Sequence, residues 1–137
     1  MKKLILILCA ILAVCACSKH KKSSGLSKDL VGVWHLDQVT SKAAIGDDEV
    51  DVWLVFSSDK SFAEYQKLGA AGRYTVFTGK IKVSKGRISG TFSDGTEIIP
   101  WDYELSGSGE LLLTRGNETD IYEKAESLPS EVSGNTY

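Results

Sequence analysis

Apolar and polar residues alternate in short bursts along most of this chain, and no stretch carries the 3.6-residue period of a long amphipathic helix. Ile81 and Val83 alternate with Lys80 and Lys82, and Trp101, Tyr103 and Leu105 alternate with Asp102 and Glu104. Neighbours in a strand project to opposite faces, so each pattern predicts a strand with one buried side. Runs rich in Val, Ile, Thr, Tyr, Phe and Trp predict strands over 30–40, 50–56, 61–68, 73–77, 80–84, 87–93, 98–105, 110–114 and 118–124. The run at 50–56 is nearly all apolar, which predicts burial on both faces or cover from neighbours.

Turn residues separate these runs. Ser57 to Lys60, Lys85-Gly86, Asp94-Gly95, Ser106 to Gly109 and Arg115-Gly116-Asn117 all read as tight connections. The small-residue stretch from Leu68 to Gly72 reads as a flexible loop. Strands joined this closely must be antiparallel neighbours, because parallel pairs need long crossovers. Eight or nine of them predict an all-β chain: a small antiparallel up-and-down β-barrel of about eight strands, closed so that no edge is left exposed. Pro100 lies inside a strand-like run and predicts an edge or a bulge there.

The N-terminus has another character. Lys2 and Lys3 precede an apolar run from Leu4 to Ala16. As a helix that run would reach about 20 Å, short of a bilayer core of about 30 Å. It reads as a signal rather than a permanent span. Val14-Cys15-Ala16-Cys17 resembles the lipobox of bacterial lipoproteins, with a branched apolar residue at its start and alanine directly before Cys17. Cys15 fits less well as the modified cysteine, because Val14 would then occupy the small-residue position. The resemblance implies cleavage before Cys17 and lipidation of its sulfur; a plain cleaved signal is the rival reading. The chain then divides into a signal (1–16), a lipidated flexible tether (17–28), a barrel (29–124) and a loose C-terminal tail (125–137) that is free or lies along the wall. With Cys9 and Cys15 removed and Cys17 modified, no cysteine is left for a disulfide, a metal or a nucleophile. The tether's lysines face anionic headgroups or simply keep a spacer soluble.

Charge follows the same division. All 18 acidic residues but only 10 of the 16 basic ones lie from Asp29 onward, a net charge of −8. Such a body repels nucleic acid and anionic lipid. The lipobox resemblance implies a place in the bacterial cell envelope, on the outer membrane. The basic tether, unlike the acidic start of surface-displayed lipoproteins, points to the periplasmic side, and the charge division to a body held off the bilayer.

Leu30-Val31-Gly32-Val33-Trp34 resembles the Gly-x-Trp signature of lipocalins. With Lys85 to Thr96 and the closing strand Ile121-Tyr122-Glu123-Lys124, the chain is similar to lipocalin-like lipoproteins of the Bacteroidetes type. The resemblance implies that Gly32 and Trp34 close the barrel floor and that Arg115 covers Trp34 as a cation over an indole. The chain is shorter than a typical lipocalin and shows no long C-terminal helix pattern, which weighs against a roomy calyx.

Residues for catalysis are sparse. Beyond the tether, His35 is the single histidine, and the outward phase of its strand makes it a surface group. No Gly-x-Ser-x-Gly turn or Cys–His pair is present, so the chain is read as no enzyme, without cofactor or metal. The acidic cluster Gly46 to Asp51 has hard oxygen ligands but no calcium-loop spacing, and reads as a solvated loop. The aromatics carry more. Trp53, Phe62, Tyr74, Phe92, Trp101 and Tyr103 are spread over many strands, and some must face the lumen of a closed barrel. An eight-stranded lumen is either filled by side chains or holds one small ligand, so these residues are a plugged core or a binding wall. The expected function is a membrane-anchored binder of a small apolar or amphipathic molecule. The alternative is a module whose outer wall or loops contact an envelope protein.

Overall fold

A computed structural model describes residues 26–39 and 49–137. The signal, Cys17, the tether up to residue 25 and residues 46–48 of the acidic cluster lie outside them. Eight strands follow in chain order: β1 Gly32–Val39, β2 Val50–Phe56, β3 Ser61–Leu68, β4 Thr75–Ser84, β5 Arg87–Phe92, β6 Glu97–Leu105, β7 Glu110–Arg115 and β8 Glu118–Ala125. Each pairs antiparallel with the next, and β8 returns to β1. The result is the closed eight-stranded up-and-down barrel that the alternation and the short connections predict.

The runs at 73–77 and 80–84 form one strand rather than two. Gly79, between them, is not a turn. It pairs with Phe62 on one side and Phe92 on the other. A Cβ at Gly79 would sit 2.4 Å from the Thr91 carbonyl oxygen, and one at Gly90 would sit 2.1 Å from the Lys80 oxygen. These glycines lie where the backbones of β4 and β5 approach too closely for a side chain. The hairpin between them turns at Lys85 (φ 52°) and Gly86 (φ 75°), the two left-handed residues of a type I′ turn.

Two irregularities re-aim side chains. In β6, Ile88 of β5 pairs with Trp101 while Gly90 pairs with Ile98, so Ile99 and Pro100 are bulged out and both Ile98 and Trp101 face inward. Proline has no N–H for the ladder, and the bulge asks for none. In β1 the register shifts between Leu36 and Gln38, which turns Val39 back towards the lumen.

The floor of the barrel is solid. Leu26, Leu30, Trp34, Leu54, Phe56, Ile81, Ile88, Leu111 and Leu113 are buried together. Leu26 and Leu30 belong to this plug, so the folded body starts upstream of residue 29. The buried Trp34 indole donates its N–H to the Leu30 carbonyl at 2.9 Å. The cation over its ring is Lys124, with Nζ 5.1 Å from the centroid, and not Arg115. Trp34 and Lys124 pair directly across β1 and β8 at the floor, whereas Arg115 ends β7 at the opposite end. The same lysine lies over Gly32, where a Cβ would come within 2.9 Å of Lys124 Cε.

The tail is docked, not loose. A single helical turn, α1 Ser130–Ser133, buries Val132, and Tyr74 pairs with Thr136 through a bridge. The Tyr74 N–H donates to the Asn135 carbonyl at 2.9 Å, and the Tyr137 N–H donates to the Tyr74 carbonyl at 3.2 Å.

Candidate functional site

The end of the barrel opposite the floor is open. There the strands change the chemistry of their inward face. Along β3 the inward positions run Phe62, Glu64, Gln66 and Leu68: apolar below, polar above, apolar again at the rim. Along β8, Asp120 stands above the buried Tyr122, and on β7 Arg115 stands above Leu111 and Leu113. A cavity of about 200 Å³ lies among Glu64, Gln66, Trp101, Arg115, Asp120 and Tyr122, walled on the β1–β2 side by Leu36, Val39, Val50 and Val52. A second hollow of about 340 Å³ shares Glu64 and Gln66 and opens past Phe77, Phe92, Asp94 and Thr96. Leu68, Phe77 and Ile99 leave large apolar surfaces exposed around this end.

The charged groups are set apart. Arg115 donates to the Ile99 carbonyl at 2.8 Å and lies 4.6 Å from the centroid of the Trp101 ring. Its guanidinium is thus tied to the β6 bulge. Among the described residues neither the Glu64 nor the Asp120 carboxylate makes a hydrogen bond or an ion pair, and the ion pairs present lie elsewhere. Burial pushes the Glu64 carboxyl above its ordinary range; Arg115 opposes this and the Asp120 charge adds to it. Burial also raises Asp120, with Glu118 adding and Arg115 opposing. The Tyr122 hydroxyl is pushed upward by burial first and by both carboxylates after it. The upper lumen is therefore a desolvated, net acidic chamber with apolar walls.

The aromatic residues named from the sequence divide into two groups. Trp101 lines the chamber and Phe92 lines its outer part. Phe62 lies beneath them, 6.1 Å from Trp101 and 6.5 Å from Phe92 by ring centroids, and Tyr103 packs on the core. Trp53 and Tyr74 do not face the lumen. On β2 the buried residues are Val52, Leu54 and Phe56, so Trp53 is turned outward, and Tyr74 precedes β4 on the outer wall.

No family model and no curated protein matches the sequence. Among solved structures the fold is similar to fatty-acid-binding protein 1 of Echinococcus granulosus, at 13% sequence identity and a TM-score of 0.40, over 72% of this chain and 99% of that one.

On the outer wall His35, Asp51, Trp53 and Tyr74 form one network. His35 stacks on Trp53 with ring centroids 4.0 Å apart, and its Nε2 lies 2.7 Å from Asp51 Oδ1. Asp51 Oδ2 accepts from the Tyr74 hydroxyl and, at 3.4 Å, from the Trp53 indole. Asp51, the last residue of the acidic cluster, lies in β2, as the run at 50–56 predicts. Burial would raise its pKa, but the hydrogen bonds from Tyr74 and His35 outweigh it and the net shift is downward. Burial and the Asp51 carboxylate push Tyr74 up to about 12. The network covers the outer face of an otherwise apolar strand and fastens the tail through Tyr74. It is a clasp.

A hollow of about 500 Å³ lies over β2 to β5 on the outer wall, lined by small groups such as Ser61, Ala63, Thr78 and Thr91, with Lys80 as its one charged group. That cation is already held by Asp59 at 3.1 Å. The lumen, though smaller, is where charged, apolar and aromatic groups converge, which is what a ligand site needs. Among the described residues no group of three or more His, Cys, Asp or Glu is placed to hold a metal.

Sequence reasoning missed Glu64, Gln66, Asp120 and Tyr122. The signal was present for the first two: both are in phase with Phe62 two and four residues on, so an inward phenylalanine makes them inward polar groups.

Proposed function

We propose that this chain is a lipid-anchored, lipocalin-like lipoprotein of the Bacteroidetes type that binds a small amphipathic or apolar molecule in its upper lumen. The observation that carries the reading is the division of the barrel into a packed floor and a hollow, mixed-character upper half beneath an apolar rim. A purely structural barrel gains by filling its lumen, because each void forfeits packing. The binding reading involves no chemistry on the ligand. Leu26, where the described chain begins, belongs to the floor, so an anchor upstream of it attaches at the closed end. The mouth is then presented away from the point of attachment.

The test uses the chain from Ser18 onward, which keeps every described residue. Native mass spectra of the purified protein should show a co-purifying small molecule. Apolar probes should quench the fluorescence of Trp101, assigned by its loss in Trp101→Phe. Quenching that survives in that variant, or none at all, sinks the lumen as the site. Labelling with a palmitate analogue, lost on Cys17→Ala, tests the anchor; labelling unchanged by that substitution refutes it. The alternative, a module that contacts an envelope protein, draws on the outer-wall hollow over β2 to β5. A partner crosslinked through Thr78 or Thr91, with no probe uptake, would favour it.

A further inference from the structure

The chamber's charge is out of balance in a way that selects a head group. Three carboxylates line it and its mouth, Glu64, Asp120 and Asp94, against the one guanidinium of Arg115. Asp94 already accepts the Thr96 N–H at 2.8 Å, and Arg115 is committed to the Ile99 carbonyl and the Trp101 face. Among the described residues the carboxylates of Glu64 and Asp120, facing one cavity from β3 and β8, have neither a hydrogen bond nor an ion pair, and feel Arg115 only through its charge. We propose that the lumen takes an amphiphile with a cationic head, a protonated amine seated between Glu64 and Asp120, its apolar part lying against Trp101, Val50 and Val52. This rests on the proposed lumen-binding function and names its ligand class.

Three physical points support it. First, two desolvated carboxylates line one cavity, and burial disfavours the charge on each, with the Asp120 charge adding to this at Glu64 and the Glu118 charge at Asp120. A cation between them removes that cost, whereas a carboxylate ligand adds a third like charge. Second, an anionic head would have only Arg115 to meet, a guanidinium that already donates to the Ile99 carbonyl and lies over Trp101, and it would sit in the same cavity as the Glu64 and Asp120 carboxylates. Third, the hollow reads as a polar middle between apolar surfaces: the core aromatics below and Leu68, Phe77 and Ile99 at the rim. An alkylammonium matches that order only if its head reaches past the rim, which the carboxylates draw inward. The inner cavity of about 200 Å³ suits a short chain.

The experiment compares three probes of equal chain length, octylamine, octanol and octanoate, by isothermal titration and Trp fluorescence on the chain from Ser18 onward at pH 7. Octylamine should bind at least tenfold more tightly than octanol, and octanoate most weakly. The Glu64→Gln, Asp120→Asn double variant should bring the three within about threefold of one another, with far-UV circular dichroism unchanged. Asp102→Asn, on the outer wall, should leave the ranking as it is. Octanoate or octanol binding as tightly as octylamine overturns the cationic head group and leaves the lumen reading intact. An amine preference that survives the double variant also overturns it. Absence of binding by all three overturns the head group and the lumen reading together.

Discussion

Gly90→Ala isolates the close approach that shapes the barrel. A Cβ there would lie 2.1 Å from the Lys80 oxygen, 2.9 Å from Ile81 Cα and 3.0 Å from the Lys80 carbonyl carbon. All three are backbone atoms, so no side chain can swing aside. Even a favourable C–H···O contact needs about 3.3 Å, so β4 and β5 must part by roughly 1 Å. That stretches the ladder bonds around the Ile81–Gly90 pair beyond good geometry. Overpacking costs about 1–3 kcal/mol, and each of two weakened hydrogen bonds adds about 0.5–1.5 kcal/mol. The lower chain entropy of unfolded alanine returns about 0.4–1 kcal/mol. The expected loss is about 3 kcal/mol, or a Tm lower by roughly 10 °C. Gly107→Ala is the control, because nothing lies within 4 Å of its Cβ and its φ is not left-handed. It should change stability by no more than about 0.5 kcal/mol, or raise it slightly. Urea unfolding followed by circular dichroism reads both. If Gly90→Ala falls within about 0.5 kcal/mol of the parent, β4 and β5 are not packed this closely and the reasoning fails.

Two further outcomes follow from the clasp and the floor. Tyr74 has its pKa raised to about 12, so the folded state favours the protonated phenol. Its stabilising contribution is full below the unfolded value near 10 and fades as pH rises through 12. Unfolding midpoints should therefore fall across that window, and Tyr74→Phe should flatten the slope; equal slopes in parent and variant would refute the clasp. Trp34→Phe removes the indole N–H from the buried Leu30 carbonyl and opens a void beneath Lys124. A loss of about 2–4 kcal/mol is expected in urea unfolding, and a loss under 1 kcal/mol would show that the floor is held by other contacts.

Period-two alternation, turn residues and short connections fix much of this molecule, because each is local. Strand existence, antiparallel order and closure follow from them, as does the inward face of β6 with Trp101 and Tyr103. Pro100 marked its own bulge. Local pattern fails where phase is hidden. The apolar run of β2 shows no alternation, so nothing in it says that Trp53 faces out; pairing with His35 across β1 decides that. Gly79 resembles a turn until the close approach of β5 explains it. Arg115 and Lys124 are equivalent cations by composition. Only closure of the barrel sets β8 beside β1 and brings Lys124, rather than Arg115, over Trp34. The candidate site is of this second kind. Glu64 and Asp120 are 56 residues apart in the chain. Their meeting across a desolvated cavity exists only once distant strands complete the ring, because charge environment depends on neighbours in space and not on neighbours in sequence.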